Sequence, residues 1–189
     1  MNISIIIPCY NEQDNIDYLV NRSKKILKNK KNQLILVNNG STDLTKIKII
    51  KNNKKYKNIK LINIKNNIGF GDAIKKGVNK CKNSVIGYTH ADREVDINDI
   101  NRGLKILKKK DFIEENFFIK GYRVNKIKNG WSFGDIILSS LMSLFYSLLF
   151  RKILNEIHAQ PVIFHKNFFK KESFFPDGLT FDASLYIKA

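Results

Sequence analysis

Short β-branched runs alternate with helically spaced stretches through the first half of the chain. Residues 4–7 form such a run and stop at Pro8, and residues 34–37 and 59–64 repeat the pattern. Between them, Ile16, Leu19, Val20, Ile26 and Leu27 recur at the spacing of one helix face, which predicts a helix over 16–27 capped by Asp14 or Asn15. A weaker helix is predicted over 45–51, a helix opened by a glycine-bearing turn over 71–80, and a strand over 85–89. A helix over 97–107 and an apolar strand over 117–119 follow. Strands separated by helices of this length imply a mostly parallel α/β sheet covered on both faces. No repeat or low-complexity linker interrupts the chain, so a single domain is expected.

The second half changes character. Residues 136–150 are apolar apart from Ser139, Ser140, Ser143 and Ser147, and the serines at 139, 143 and 147 share one helical face. About fifteen residues fall short of the about 20 that span a bilayer. Two readings stand: a buried or partner-packed helix whose serines bond back to the preceding turn, or an interfacial helix between Trp131 and Arg151-Lys152. Apolar residues surround most of its circumference, which favours the first.

Composition narrows the classes. With 189 residues, 43% of them hydrophobic, the chain can bury one sizeable core. Cys9 and Cys81 lie far apart without metal-binding spacing, so neither a disulfide framework nor a zinc site is expected. The chain enters a strand at Ile3 with no basic-then-apolar leader, so no signal peptide is expected. The net charge of +17 is carried by lysines expected to lie dispersed over helix faces and loops. Without clustered arginine and interleaved aromatics, they do not predict a nucleic-acid surface. Attraction to an anionic membrane, at about 1 kcal/mol per well-placed lysine, is the better use for them.

Four loops at predicted strand ends carry candidate chemistry, since open α/β sheets bind ligands beyond the carboxyl ends of their strands. In Pro8-Cys9-Tyr10-Asn11-Glu12, Tyr10 can stack on a planar base and Glu12 can accept a hydrogen bond. In Asn38-Asn39-Gly40-Ser41-Thr42-Asp43, Asn39, Ser41 and Asp43 offer polar groups to a nucleoside or to the next helix. In Asn66-Asn67-Ile68-Gly69-Phe70-Gly71-Asp72, the glycines allow close backbone approach at a helix N-terminus. In His90-Ala91-Asp92, the carboxylate can hold a divalent cation against a diphosphate or cap the helix that follows.

In this order and spacing the loops resemble the family 2 glycosyltransferases of the GT-A fold, whose pattern is Pro-x-Tyr-Asn-Glu, Asp-Asp-Gly-Ser-x-Asp, Asn-x-Gly and Asp-x-Asp. Lys120-Gly121-Tyr122-Arg123, His158-Ala159-Gln160-Pro161 and Phe181-Asp182 are similar to segments of the branch that includes polyprenyl-phosphate sugar transferases. The resemblance implies a GT-A (Rossmann-like) domain over residues 1–189, a nucleotide-sugar half over 1–95 and an acceptor half over 96–189. It also implies that the chain stops short of the family's usual end. Inverting transfer is implied from a UDP- or GDP-linked sugar to a lipid phosphate or saccharide, in cell-envelope glycan synthesis at the inner face of the membrane. Pro8, Tyr10, Glu12, Asn39, Asp43, Gly69, His90, Lys120 and Arg123 would bind the donor or a phosphate. Asp92 with His90 would hold Mg²⁺ or Mn²⁺, and Asp182 is the candidate base for a hydroxyl acceptor. His158 and His165 are assigned to structure. Two departures stand out: Asn38-Asn39 replaces an acidic pair, and His90 replaces the first Asp of the metal motif. They motivate a rival reading, a catalytically silent homologue that binds nucleotide or a partner. A basic nucleic-acid-binding module is a further rival. A nucleotidyltransferase would need a glycine-rich basic loop after the first strand, which Pro8–Glu12 is not.

Overall fold

The computed structural model describes residues 1–109, 117–171 and 174–189. Each predicted element is present: β1 (Ile3–Cys9), α1 (Gln13–Leu27), β2 (Gln33–Asn39), α2 (Thr45–Lys55), β3 (Ile59–Ile64), α3 (Phe70–Lys80), β4 (Val85–Tyr88), α4 (Asp99–Lys109) and β5 (Phe118–Lys120). The chain continues through α5 (Phe133–Phe150), β6 (Val162–His165), α6 (Lys166–Lys171) and α7 (Phe181–Lys188). β6 and α6 were not predicted, because four residues after Pro161 are too few to display a period.

The six strands lie in the order β3-β2-β1-β4-β6-β5. β1 pairs in parallel with β2 and β4, and β2 in parallel with β3, whereas β6 runs antiparallel to both β4 and β5. Successive side chains of a strand point to opposite faces, and both faces here are covered. Ile3, Ile5, Ile7, Leu34 and Leu36 pack with Ile16, Leu19, Ile100 and Leu107 on one side. Ile6, Ile35, Val37 and Tyr88 pack with Ala73, Ile74, Phe181 and Leu185 on the other. The continuous apolar runs of β1 and β2 follow from burial on both faces.

Three expectations are corrected. First, α1 starts at Gln13 after Glu12, with no side-chain cap from Asp14 or Asn15. Second, α5 is neither buried nor short: it has 18 residues, none of them buried. By length and composition α5 could cross a membrane. Its start was missed because a Ser132/Asp135 capping box places polar residues in the first turn. The expected back-bonding does occur, from Ser140 to Ile136 O (2.8 Å) and from Ser147 to Ser143 O (2.6 Å). Third, the lysines are not evenly dispersed. Seven of them line one cavity of about 500 Å³ at the amino end of the sheet, among them Lys28, Lys57, Lys60 and Lys82. α1, α2 and α3 end there, and the negative ends of helix dipoles favour cations.

Gly77 of α3 sits over Ile6, and a Cβ at position 77 would lie 2.5 Å from Ile6 Cγ2. Alanine gains about 1 kcal/mol of helix propensity over glycine, but overpacking a closed core costs about 1–3 kcal/mol. Ile6 is fully buried and cannot give way. Gly77→Ala is therefore expected to destabilise by about 1 kcal/mol, read as a lower urea midpoint with an unchanged slope.

Candidate active site

The order β3-β2-β1-β4 reverses direction between β1 and β4, which makes the crevice beyond their carboxyl ends the natural ligand site. The loop after β1 and the turn after β4 flank it. Cys9 is paired with Asn38 across β1 and β2, so Tyr10 and Asn39 leave the sheet side by side. Tyr10 is half exposed.

The first two loops are stitched together. Asn11 N donates to Ser41 Oγ (3.0 Å), Thr42 N donates to Asn11 Oδ1 (2.9 Å), and Glu12 N donates to Thr45 Oγ1 (2.8 Å). Asp43 accepts from Gln13 N (3.1 Å) and Thr45 N (2.9 Å), and so joins the first turns of α1 and α2. Burial opposes its charge, but bonds from Thr45 and Gln13 outweigh that and hold its carboxyl below the ordinary range. Asp43 thus spends both oxygens on the scaffold. Glu12 accepts from Asn15 Nδ2 (2.5 Å).

Asn38 and Asn39 are buried. Asn39 Nδ2 donates to Asn67 Oδ1 (2.9 Å) and to the carbonyl of Gly69 (3.1 Å). A carbonyl can only accept, so the amide orientation is fixed. Asn39 Oδ1 is left as a buried acceptor with no partner, as is Asn38 Oδ1. Gly69 has φ 148°, and a Cβ there would fall 2.3 Å from the carbonyl oxygen of Asp177. The close approach that this glycine permits is therefore to the chain's own segment before α7, secured by the bond from Asp72 N to Asp177 O (3.0 Å). Lys75 pairs with Asp177 (2.6 Å) and reinforces it.

Beyond β4, Thr89 is buried with an unpartnered hydroxyl, and the His90 ring lies 4.9 Å from that of Phe70. Asp92 is exposed; its Oδ1 accepts from Glu94 N (3.1 Å), closing a turn rather than capping α4. Arg93 lies over Tyr18 (4.7 Å) and donates to the carbonyl of Asp14, which ties this turn to α1. Among the described residues no group of three or more His, Cys, Asp or Glu side chains converges on one point. Mg²⁺ and Mn²⁺ are usually held by one or two carboxylates together with substrate phosphates. Asp92 fits a cation shared with a diphosphate in that way, not a cage built by protein alone.

Asp182 at the start of α7 is only 5% exposed. Tyr88 Oη donates to its Oδ1 (2.6 Å), Gln160 Nε2 donates to its Oδ2 (3.1 Å), and His158 Nδ1 lies 3.9 Å away. Burial, reinforced by the Asp182 charge and hydrogen bond, raises the Tyr88 hydroxyl well above the ordinary range, so the phenol stays the donor. Lys120 lies 4.8 Å from the Tyr186 ring and donates to the carbonyl of Glu156. Burial lowers its pKa to about 8 despite the nearby charges of Glu156 and Asp182. Arg123 donates to the carbonyl of His158 (3.1 Å), packs over Trp131 (5.0 Å) and lies 3.6 Å from Glu156 Oε2. Lys126 pairs with the other oxygen of Glu156.

The site residues read from the sequence thus fall into groups. Pro8, Tyr10, Glu12, Asn39, His90 and Asp92 stand around the crevice, Asp43 and Gly69 build its walls, and Lys120, Arg123 and Asp182 lie at the end of β5, just after it and at the start of α7. The sequence reading assigned no role to Tyr88, Gln160, Lys126, Glu156 or Asn67. Asn67 and Gln160 stood inside quoted motifs, and Tyr88 is a lone phenol in an apolar strand.

A mostly parallel six-stranded sheet, with paired loops at the carboxyl ends of its strands and the exposed Asp92 beyond its switch point, has the GT-A architecture. The chain belongs to the family described as glycosyl transferase family 2, which residues 4–172 match. An uncharacterised glycosyltransferase of Synechocystis is 32% identical over 94 residues, covering 49% of this chain and 30% of that protein. A dolichyl-phosphate beta-glucosyltransferase of Dictyostelium discoideum is 33% identical over 124 residues, covering 60% of this chain and 37% of that protein. The matches thus span about a third of the length of these relatives. Glucosyl-3-phosphoglycerate synthase of Mycobacterium tuberculosis, solved with Mn²⁺, uridine diphosphate and phosphoglyceric acid, superposes at a TM-score of 0.71 with 15% identity. That superposition covers 98% of this chain and 62% of the other.

Asp43→Asn is expected to lower the melting temperature near neutral pH by loosening both helix starts. A carboxyl held below its unfolded value stabilises above that value, about 3.9, and the contribution is lost as pH falls through the folded value. The gap between wild-type and variant melting temperatures should therefore shrink on acidification below about pH 4. A pH-independent gap would assign the effect to shape alone.

Proposed function

We propose that this chain transfers a sugar from a uridine-diphosphate sugar to an acceptor carried on a lipid, with inversion at the anomeric carbon. The observation that carries the donor half is the pair of groups flanking β1: the unpartnered buried Asn39 Oδ1 at the end of β2 and the exposed Asp92 beyond β4. An acceptor atom fixed in this way suits the imide N–H of uracil, and Tyr10 supplies a face for the ring. The solved neighbour's uridine diphosphate and Mn²⁺ support this reading.

In the reaction the acceptor oxygen bonds to the anomeric carbon while the bond to the diphosphate breaks on the opposite side. The electron pair leaves with the nucleoside diphosphate. Mg²⁺ or Mn²⁺ held by Asp92 would neutralise the charge developing there. The chain's own residues bind and orient: Asn39 and Tyr10 take the base, and Tyr88 and Gln160 fix the carboxylate of Asp182 at the start of α7. A lipid phosphate is ionised already and needs no base. For a hydroxyl acceptor, a base is required, and Asp182 would have to release one of its bonds to serve.

The membrane half of the reading rests on α5, where Leu141, Phe145 and Leu148 are all more than half exposed. An uncovered apolar surface of this extent marks an interaction site. The name of the Dictyostelium relative supports a lipid-linked acceptor, and attachment at a membrane follows from it.

Calorimetry with UDP and GDP, with and without Mn²⁺, tests the donor site. Metal-dependent UDP binding that weakens at least tenfold in Asp92→Ala is expected. No binding of either nucleotide in any metal would leave the silent-homologue reading. The membrane contact is tested by flotation with vesicles of neutral and anionic phospholipid. Leu141→Glu combined with Phe145→Glu should abolish most co-flotation without lowering the melting temperature, since both side chains are exposed. Undiminished flotation would exclude α5 as the contact.

A further inference from the structure

Between α5 and the segment after β5 lies a cavity of about 380 Å³, within the range of ~300–1,000 Å³ typical of small-ligand pockets. One wall is the serine face of α5; the opposite wall carries Tyr122, Arg123, Lys126 and Glu156. Two observations set its chemistry. Ser140 and Ser147 donate to backbone carbonyls of α5, but the side-chain hydroxyls of Ser139 and Ser143, which line the cavity, make no hydrogen bond among the described residues. Glu156, 7% exposed, keeps its Oε2 without a hydrogen-bond partner.

That carboxylate also engages both nearby cations. Lys126 pairs with Oε1, and Arg123 lies 3.6 Å from Oε2 while its guanidinium bonds His158 O and covers Trp131. A phosphate entering here would meet cations already engaged and a carboxylate that repels it. A polyol would not, since each hydroxyl both donates and accepts. Its O–H groups can donate to Glu156 Oε2, and its oxygens can accept from Ser139, Ser143 and the remaining N–H groups of Arg123 and Lys126. The rest of α5 beyond the serine face is exposed and apolar, through Leu141, Phe145 and Leu148, so a head group in the cavity can trail an apolar chain along the helix.

We infer that this cavity holds the hydroxyl-bearing head group of an amphipathic molecule, a saccharide on an apolar chain, and that Glu156 selects it over a bare phosphate. That this molecule is the sugar acceptor rests on the function proposed above; the binding does not.

Trp131, the chain's one tryptophan, packs against Arg123 and Lys126 and so reports on the cavity by its fluorescence. Dodecyl maltoside and dodecyl phosphate, titrated below their micelle-forming concentrations, share a tail and differ in the head. Wild type should bind the maltoside at least fivefold more tightly. Glu156→Gln frees two cations and removes the repulsion, so the preference should reverse: maltoside weaker by about fivefold, phosphate tighter. Ser143→Val, at a site where no fold-bearing bond is lost, should weaken the maltoside alone. Equal binding of both detergents, a wild-type preference for phosphate, or an unchanged ratio in Glu156→Gln would each overturn the inference. UDP titration with Mn²⁺ on the same proteins separates the two claims. Retained UDP binding without head-group selection sinks this inference alone, and head-group selection without UDP binding sinks only the donor reading.

Discussion

One buried carboxylate joins the two halves of this molecule. Asp182 leaves the start of α7 and receives the hydroxyl of Tyr88 from β4 and the amide of Gln160 from the turn before β6. Burying a charge is costly unless it is paired and hydrogen-bonded, and here two donors meet it from separate elements. β4 leads directly into the turn that carries Asp92, while the Gln160 turn leads back to Glu156 and the foot of α5. α7 packs its Phe181 against Tyr88, and the segment before α7 fills the space over Gly69. β4 with the turn after it, the segment before β6 and α7 therefore share one hydrogen-bonded centre, and removing any of its three members would leave an unpaired polar group in the core.

The fold was legible because its signals are local. Alternating β-branched and helical runs placed the elements through β5, and the four loops came in the order that the sheet requires. What was not legible depends on contacts between distant segments. Nothing near Asp43 says that its oxygens are spent on Gln13 and Thr45, and nothing near Gly69 says that Asp177 will lie against it. The resemblance singled out both positions as donor contacts, and the geometry adds that each also holds neighbouring segments together. Asp182 was singled out as a candidate base, and nothing near it in the sequence says that Tyr88 and Gln160 will meet it in the core.

The helix α5 shows a different limit. Hydrophobic periodicity reports which residues avoid water, not what covers them. A stripe apolar around most of its circumference reads as a core helix, yet α5 touches the rest of the chain mainly through its ends. Trp131, just before the helix, stacks with Arg123 and Lys126, and near its far end Tyr146 and Ser147 meet the Leu154–Ile157–Ala183 cluster. Its serines make sense in this setting: they face a cavity wall that is polar, while Leu141, Phe145 and Leu148 are exposed.

The replacements at the donor site share a direction. Where the family's pattern carries carboxylates, this chain carries Asn38, Asn39 and His90, all without fixed negative charge. Under the proposed function, a diphosphate approaching the crevice would meet the exposed Asp92 with no carboxylate at position 90 to pair with it. Coulomb repulsion between anions grows as the local dielectric falls, so each carboxylate removed reduces the charge that a cation must offset. The amide of Asn39 keeps its hydrogen-bonding capacity toward a base without that repulsion. Under the proposed function, the same substitutions would leave more of the cation's coordination to the substrate's own phosphates.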